Sequence, residues 1–321
     1  MFASGKRPTF SAVSAKETPE TMTEKTFLTI LSLLMLALSP VKSEGMTKTR
    51  IHIPREDGHS LKVLIYRPDS PSSAPATGVL WIHGGGYITG MASMVGWLGR
   101  PAPLVEKYGA VVISPGYRLS PRGRYPVALE DCYEALRYMV THADELGIRK
   151  DQIFVGGESA GGGLCAALCL LARDRGEFNI AFQMPLYPMI DDRDTPSSKD
   201  NHNKVWNTKT NHFGWKRYLG SLYGTDDVPS YGAPARETDM RGLPPAYTFV
   251  CTGEPFYCET LTFVENLRAA GIEAGLDVYE GLYHAFDMLA PKREESIKAA
   301  ENFEKAFLHA VENYFAPNGQ N

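Results

Sequence analysis

The stretch from Ile153 to Ala172 constrains this chain more than any other. An apolar run, Ile153–Gly156, passes with no spacer through Gly157-Glu158-Ser159-Ala160-Gly161 into a segment of small and apolar residues that reads as a buried helix from Gly161 to Ala172. A strand that turns directly into a helix needs a sharp bend. Glycines are required on either side of it, because a Cβ there would collide with the neighbouring strand and helix. Further short apolar runs at Val79–His83, Ala110–Ser114, Phe182–Leu186, Ala246–Cys251 and Ala274–Tyr279 read as buried strands. Arg50–Pro54 and Leu61–Pro68 alternate around Asp57-Gly58 and predict an antiparallel hairpin.

Between the strands lie helical periods. Leu129, Cys132, Leu136, Met139, Ala143 and Leu146 keep a three-to-four spacing between Pro126 and Gly147. Leu261, Val264 and Leu267 mark a second helix that ends at Gly271. Ile297, Ala300, Phe303, Phe307, Ala310 and Tyr314 mark a third. Strands alternating with helices predict an α/β fold, a mostly parallel sheet covered on both faces. Asp192–Arg236 breaks the alternation: it is polar and loop-like up to a short helix around Phe213–Tyr223 and has the position of a cap.

Residues 1–26 are polar, without apolar period, and read as a disordered leader. Phe27–Ser39 is nearly unbroken apolar sequence, too short for the ~20 residues of a membrane-spanning helix, and reads as a buried or lid helix. Translation starting at Met22 would make a more signal-like leader and open a secreted alternative. The expected division is therefore a leader (1–26), an N-terminal cap segment (27–48), a core (49–191 and 237–321) and a cap insertion (192–236). Thirty-three basic against 37 acidic side chains give a net charge of −4, which disfavours nucleic acid and anionic lipid as partners. The five cysteines form no CxxC pair and suit a reducing cytoplasm. The scattered histidines show no zinc spacing, and no cofactor is expected.

Ser159, held at the strand-to-helix turn, is the candidate nucleophile. His83-Gly84-Gly85-Gly86 ends the strand Val79–His83, and its bare backbone suits an oxyanion hole, with the N–H groups of Gly84, Gly85 and Ala160 as expected donors and His83 as a brace. In chain order an acid and then a histidine should follow the serine. His142 and His309 lie in predicted helices, His52 and His59 precede the serine, and His202 and His212 fall in the cap. His284 alone follows a late strand through a short loop, and it is the expected base. Of the two carboxylates after Ala246–Cys251, Glu254 lies in the loop. Glu259 reads as the first turn of a helix, facing solvent or offsetting the helix dipole. Glu254 is the expected acid.

Together the HGGG run, GESAGG, Tyr117-Arg118-Leu119-Ser120-Pro121 and Tyr283-His284-Ala285-Phe286 resemble the hormone-sensitive-lipase-like family of α/β-hydrolases, over roughly residues 50–315. The resemblance implies an eight-stranded sheet, a helical cap and cofactor-free hydrolysis of carboxylic esters, short-chain ones here. A small-molecule ester would be the partner, with no stable membrane span; a homodimer is compatible with it. An amidase, or a deacetylase of acylated sugars or drugs, would use the same residues, and a non-catalytic receptor could share the fold. The chain departs from the family at Glu158, where Asp is usual, at Glu254, also usually Asp, and at Ala285, usually Gly. It also lacks both carboxylates that normally flank the Tyr117–Pro121 run.

Overall fold

The structure, a computed structural model, describes residues 45–96 and 100–318. The expected leader and the Phe27–Ser39 segment lie outside the described residues. Eight strands build one sheet: β1 Met46–Pro54, β2 Ser60–Pro68, β3 Ala76–Ile82, β4 Val111–Pro115, β5 Ile148–Glu158, β6 Phe182–Leu186, β7 Ala246–Cys251 and β8 Ala274–Tyr279. Their order is β1-β2-β4-β3-β5-β6-β7-β8. β1 and β2 form the expected hairpin, and β2 meets β4 antiparallel; every other pairing is parallel. Because β3 lies between β4 and β5, the chain leaves it to one side and returns on the other. That reversal opens a crevice at the carboxyl ends of the strands, where open α/β sheets bind ligands.

The helices are α1 Ala102–Glu106, α2 Val127–Thr141, α3 Ala143–Leu146, α4 Ala160–Arg175, α5 Thr208–Leu219, α6 Tyr257–Ala269, α7 Phe286–Leu289 and α8 Glu294–Asn313. Side chains alternate across a strand, so β3 feeds two cores. Leu80 and Ile82 pack with Leu129 and Leu136 of α2, Leu164 and Leu168 of α4, and Phe263 and Leu267 of α6. Val79 and Trp81 pack on the other face with Leu104 and Val105 of α1 and Phe303 and Phe307 of α8. Among the described residues no helix is long and apolar enough to cross a membrane.

Three helices depart from the expected bounds. The predicted Leu129–Leu146 helix breaks at His142 (φ −109°, ψ 22°), where the Thr141 hydroxyl donates back to the Arg137 carbonyl. In α8 the inward face is Ser296, Ala299, Phe303, Phe307 and Ala310; Ile297, one residue off that stripe, is 48% exposed, and Tyr314 lies past the helix end. α5 starts at Thr208, earlier than expected, because Asn207 and Thr210 form a reciprocal cap: the Asn207 side chain accepts from the Thr210 N–H while the Thr210 hydroxyl accepts from the Asn207 N–H.

The loop run Tyr117–Pro121 finds its carboxylate elsewhere. Arg118 donates through its backbone N–H (3.0 Å), Nε (2.8 Å) and Nη2 (2.7 Å) to Asp131 of α2, and also pairs with Asp57 of the hairpin turn. Arg55 Nε lies 3.2 Å from the same fully buried Asp131. One carboxylate thus ties hairpin, loop and helix together. Asp131→Ala would leave two guanidinium groups, both mostly buried, without that partner and should cost about 3–5 kcal/mol. Urea denaturation monitored by tryptophan fluorescence checks this; a loss no larger than that of an exposed pair would refute it.

Candidate active site

At the carboxyl end of β5 the backbone turns through Ser159 at φ 58°, ψ −122°, in the positive-φ region that non-glycine residues rarely occupy. The close approach of strand and helix forces the glycines around it. A Cβ on Gly157 would sit 2.5 Å from the Ile82 and Gly161 carbonyl oxygens, and one on Gly161 would sit 2.0 Å from the Ile82 oxygen. The turn is held by hydrogen bonds at both ends of the serine. Its N–H donates to the Leu186 carbonyl (3.0 Å), and its carbonyl accepts from Gly163 (2.9 Å) and Met189 (3.0 Å).

The structure brings Ser159, His284 and Glu254 together. His284 Nε2 lies 2.9 Å from Ser159 Oγ, and its Nδ1 lies 2.5 Å from Glu254 Oε2. The imidazole is buried and meets the rings of Phe256 (5.0 Å) and Tyr187 (5.2 Å) edge to face, which fixes its plane. Glu254 is buried as well, and its second oxygen accepts from the Cys251 N–H (2.9 Å) and Sγ (3.2 Å). Ala285 stands at φ 59°, a left-handed conformation that costs an L-residue roughly 1–2 kcal/mol. It is the price of turning the loop straight from His284 into α7.

The glycine loop departs from expectation at one donor. The Gly84 N–H is already occupied, donating to Glu158 Oε1 at 2.9 Å, and so is not free for an oxyanion. The N–H groups of Gly85 and Gly86 donate to no described residue. Ala160 is the first residue of α4, so its N–H precedes the intrahelical ladder. The available donors are therefore Gly85, Gly86 and Ala160. Sequence reasoning missed Gly86; the signal was the third consecutive glycine, together with an acid long enough to reach the first. His83 is buried and hydrogen-bonded through Nδ1 to the Gly84 carbonyl (2.9 Å), and its ring stacks on Tyr117 at 4.3 Å. Burial pushes its pKa down to about 4, so it stays neutral.

Glu259 contradicts the expectation of a solvent-facing carboxylate. It is only 2% exposed, and its Oε1 accepts from the N–H groups of Ile190 (2.8 Å) and Asp191 (3.2 Å). Phe263, Val264 and Leu267 turn one face of α6 inward, and Glu259, one turn before Phe263, shares it. Burial pushes its pKa well up, offset in part by the Ile190 N–H. His202 and His212 pair instead with Asp200 and Asp194 near the surface.

The Asp192–Arg236 insertion packs directly on the glycine loop. Trp206 is buried, its ring 6.4 Å from that of His284 and so close to Gly86 that a Cβ there would lie 2.2 Å from the indole. Gly214 of α5 allows this approach, since its own Cβ would come within 3.2 Å of both the Gly86 carbonyl and the Trp206 ring.

Known proteins share the fold. Residues 79–288 match a family described as alpha/beta hydrolase fold. Esterase LipI of Mycobacterium tuberculosis is 31% identical over 225 residues, covering 70% of this chain and 69% of its own. Ethyl acetate hydrolase of Pseudomonas putida is 28% identical, covering 77% of each chain. Among solved structures, a bacterial heroin esterase superposes with a TM-score of 0.82 at 33% identity, covering 89% of this chain and 91% of its own.

The Glu259 contacts lead to a stability prediction. Glu259→Ala strands two buried N–H groups and should cost about 1–3 kcal/mol per group, whereas Glu259→Gln keeps an acceptor and should lose less. Chemical denaturation of the two variants checks the order, and equal losses would contradict it.

Proposed function

As a member of the alpha/beta hydrolase fold family, in its hormone-sensitive-lipase-like branch, the chain is an ester-cleaving serine hydrolase, and we propose that Ser159, His284 and Glu254 are its catalytic triad. The observation that carries this assignment is the continuous hydrogen-bond path from Ser159 Oγ through His284 to Glu254. His284 Nε2 takes the hydroxyl proton as Oγ attacks the ester carbonyl, and Glu254 holds Nδ1 in the donor tautomer and stabilises the imidazolium. The negative charge on the former carbonyl oxygen meets the N–H groups of Gly85, Gly86 and Ala160, each donor contributing roughly 3–4 kcal/mol. His284 then returns the proton to the leaving alkoxide and activates water against the acyl-serine. His83 braces the loop, and no cofactor takes part.

The substrates are esters of short acyl chains. Trp206 stands over Gly86 and beside His284, and such a wall leaves little depth for an acyl group next to Ser159. The printed name of the Pseudomonas relative, an ethyl acetate hydrolase, agrees with a small acyl group. Residues 192–236 form a cap over the crevice; of the expected N-terminal cap segment 27–48, Met46–Lys48 belong instead to β1. Five free cysteines, four of them buried, support a cytoplasmic compartment. The amidase and deacetylase alternatives have less support than the esterase reading. A non-catalytic receptor would have no use for the Ser159–His284 contact.

Ser159→Ala should abolish both hydrolysis of p-nitrophenyl butyrate and labelling by a fluorophosphonate, with little change in stability. Turnover near the wild-type rate would sink the assignment. Glu254→Gln should lower kcat by up to about 10⁴, measured against Glu259→Gln, and a larger loss at Glu259 would transfer the role. Trp206→Ala should move the optimum in a p-nitrophenyl ester series from acetate and butyrate toward octanoate. An unchanged chain-length profile would refute the wall.

A further inference from the structure

Glu158 is the residue of the Gly157–Gly161 turn to which the proposed chemistry gives no task. It is the last residue of β5, only 5% exposed, and it carries an acid into the interior immediately before the nucleophile. Both carboxylate oxygens are used. Oε2 accepts from Trp81 Nε1 at 2.7 Å, and Oε1 accepts from the Gly84 N–H at 2.9 Å. These donors stand on either side of the point where β3 gives way to the glycine loop. Contact at this point is tight, since a Cβ on Gly84 would lie 2.8 Å from the Glu158 carbonyl oxygen.

Three consecutive glycines have little conformational preference of their own. Gly85 and Gly86 both take positive φ, 120° and 61°. Hydrogen bonds must therefore restrain the loop: Ile88 and Thr89 donate to the Gly85 carbonyl, Tyr117 donates to the His83 carbonyl, and Gly84 donates to Glu158. Only the last of these bonds ties the loop to the residue that precedes Ser159. Oxyanion donors act because they are fixed before charge develops, so a loop free to shift loses that advantage. We propose that Glu158 is a positioning residue: by anchoring the Gly84 N–H, and being itself held by Trp81, it keeps the Gly85 and Gly86 N–H groups in register with Ser159 Oγ. The inference rests on the esterase reading.

The anchor is also pH-dependent. Facing Glu158 are Trp81 of β3, Gly84, Tyr117 after β4, Tyr187 after β6 and Asp287 of α7, with Arg100 paired to Asp287 at 2.9 Å. Burial pushes the Glu158 pKa up to about 7, opposed by the Gly84 and Trp81 bonds and reinforced by the Asp287 charge. Protonation turns one acceptor oxygen into a hydroxyl and weakens the anchor. The sign for stability is opposite. A carboxyl whose folded pKa exceeds its ordinary value of 4.5 disfavours the folded state as pH rises from that value through about 7. Glutamine avoids this loss but sets an NH2 against one of the two donors, so its two effects on stability oppose each other while the anchor is weakened.

The test uses wild-type enzyme and Glu158→Gln, with active sites titrated by a fluorophosphonate and p-nitrophenyl butyrate turnover followed from low to high pH. The expected result is a fall in kcat per titrated site of about tenfold or more, with KM little changed. The loss in the variant relative to wild type should shrink toward low pH, where the wild-type Glu158 carboxyl is itself protonated. Unchanged kcat per titrated site, or a loss carried by KM rather than kcat, would overturn the proposal. If that variant does not fold, Trp81→Phe, which removes the bond that holds Glu158 Oε2, decides, and unchanged kcat per titrated site overturns the proposal. Wild-type enzyme whose Ser159 resists the fluorophosphonate would remove the esterase reading itself, a separate failure.

Discussion

The site depends on how closely α4 approaches the carboxyl ends of β3 and β5. At that junction the Ile82 carbonyl lies where a Cβ of either Gly157 or Gly161 would be. Any side chain at those positions would push the helix outward. The Ala160 N–H would then move away from the glycine loop, and Ser159 would relax from its positive φ. The strain at Ser159 persists because Leu186, Gly163 and Met189 all bond to its backbone. Helix start, Ser159 and loop are therefore one packing unit.

Much of this was legible in the sequence because the governing signals are local. The bounds of β6, β7 and β8 follow from apolar runs with clear ends, and Ser159, His284 and Glu254 follow from strand ends and chain order. The errors have a common cause, since each depends on a partner distant in sequence. Glu259 looks like an exposed first-turn acid until Ile190 and Asp191 are seen to need its oxygen. Gly84 looks like an oxyanion donor until Glu158, 74 residues later, takes its N–H.

The region around Ser159 is rich in buried acid and poor in cations. Glu158, Glu254, Glu259 and Asp287 are all buried there, and among the described residues Arg100 supplies the one fixed positive charge in direct contact with them, through Asp287. Backbone N–H groups carry most of the compensation: Gly84 for Glu158, Cys251 for Glu254, Ile190 and Asp191 for Glu259. Bonds from rigid backbone both stabilise a carboxylate and hold it in place.

Glutamate in place of the usual aspartate at 254 is accommodated by the same economy. The Glu254 N–H turns back to the Cys251 carbonyl at 3.4 Å, and the side chain folds over that turn, so that one oxygen caps the last N–H of β7 while the other reaches His284. The longer acid is thus coupled to the turn that carries it. On the other side of the imidazole, Ala285 accepts a left-handed conformation to bring His284 back to meet it. Two departures from the family pattern flank one ring, and the geometry between serine, histidine and acid survives because backbone, rather than side-chain length alone, sets the distances.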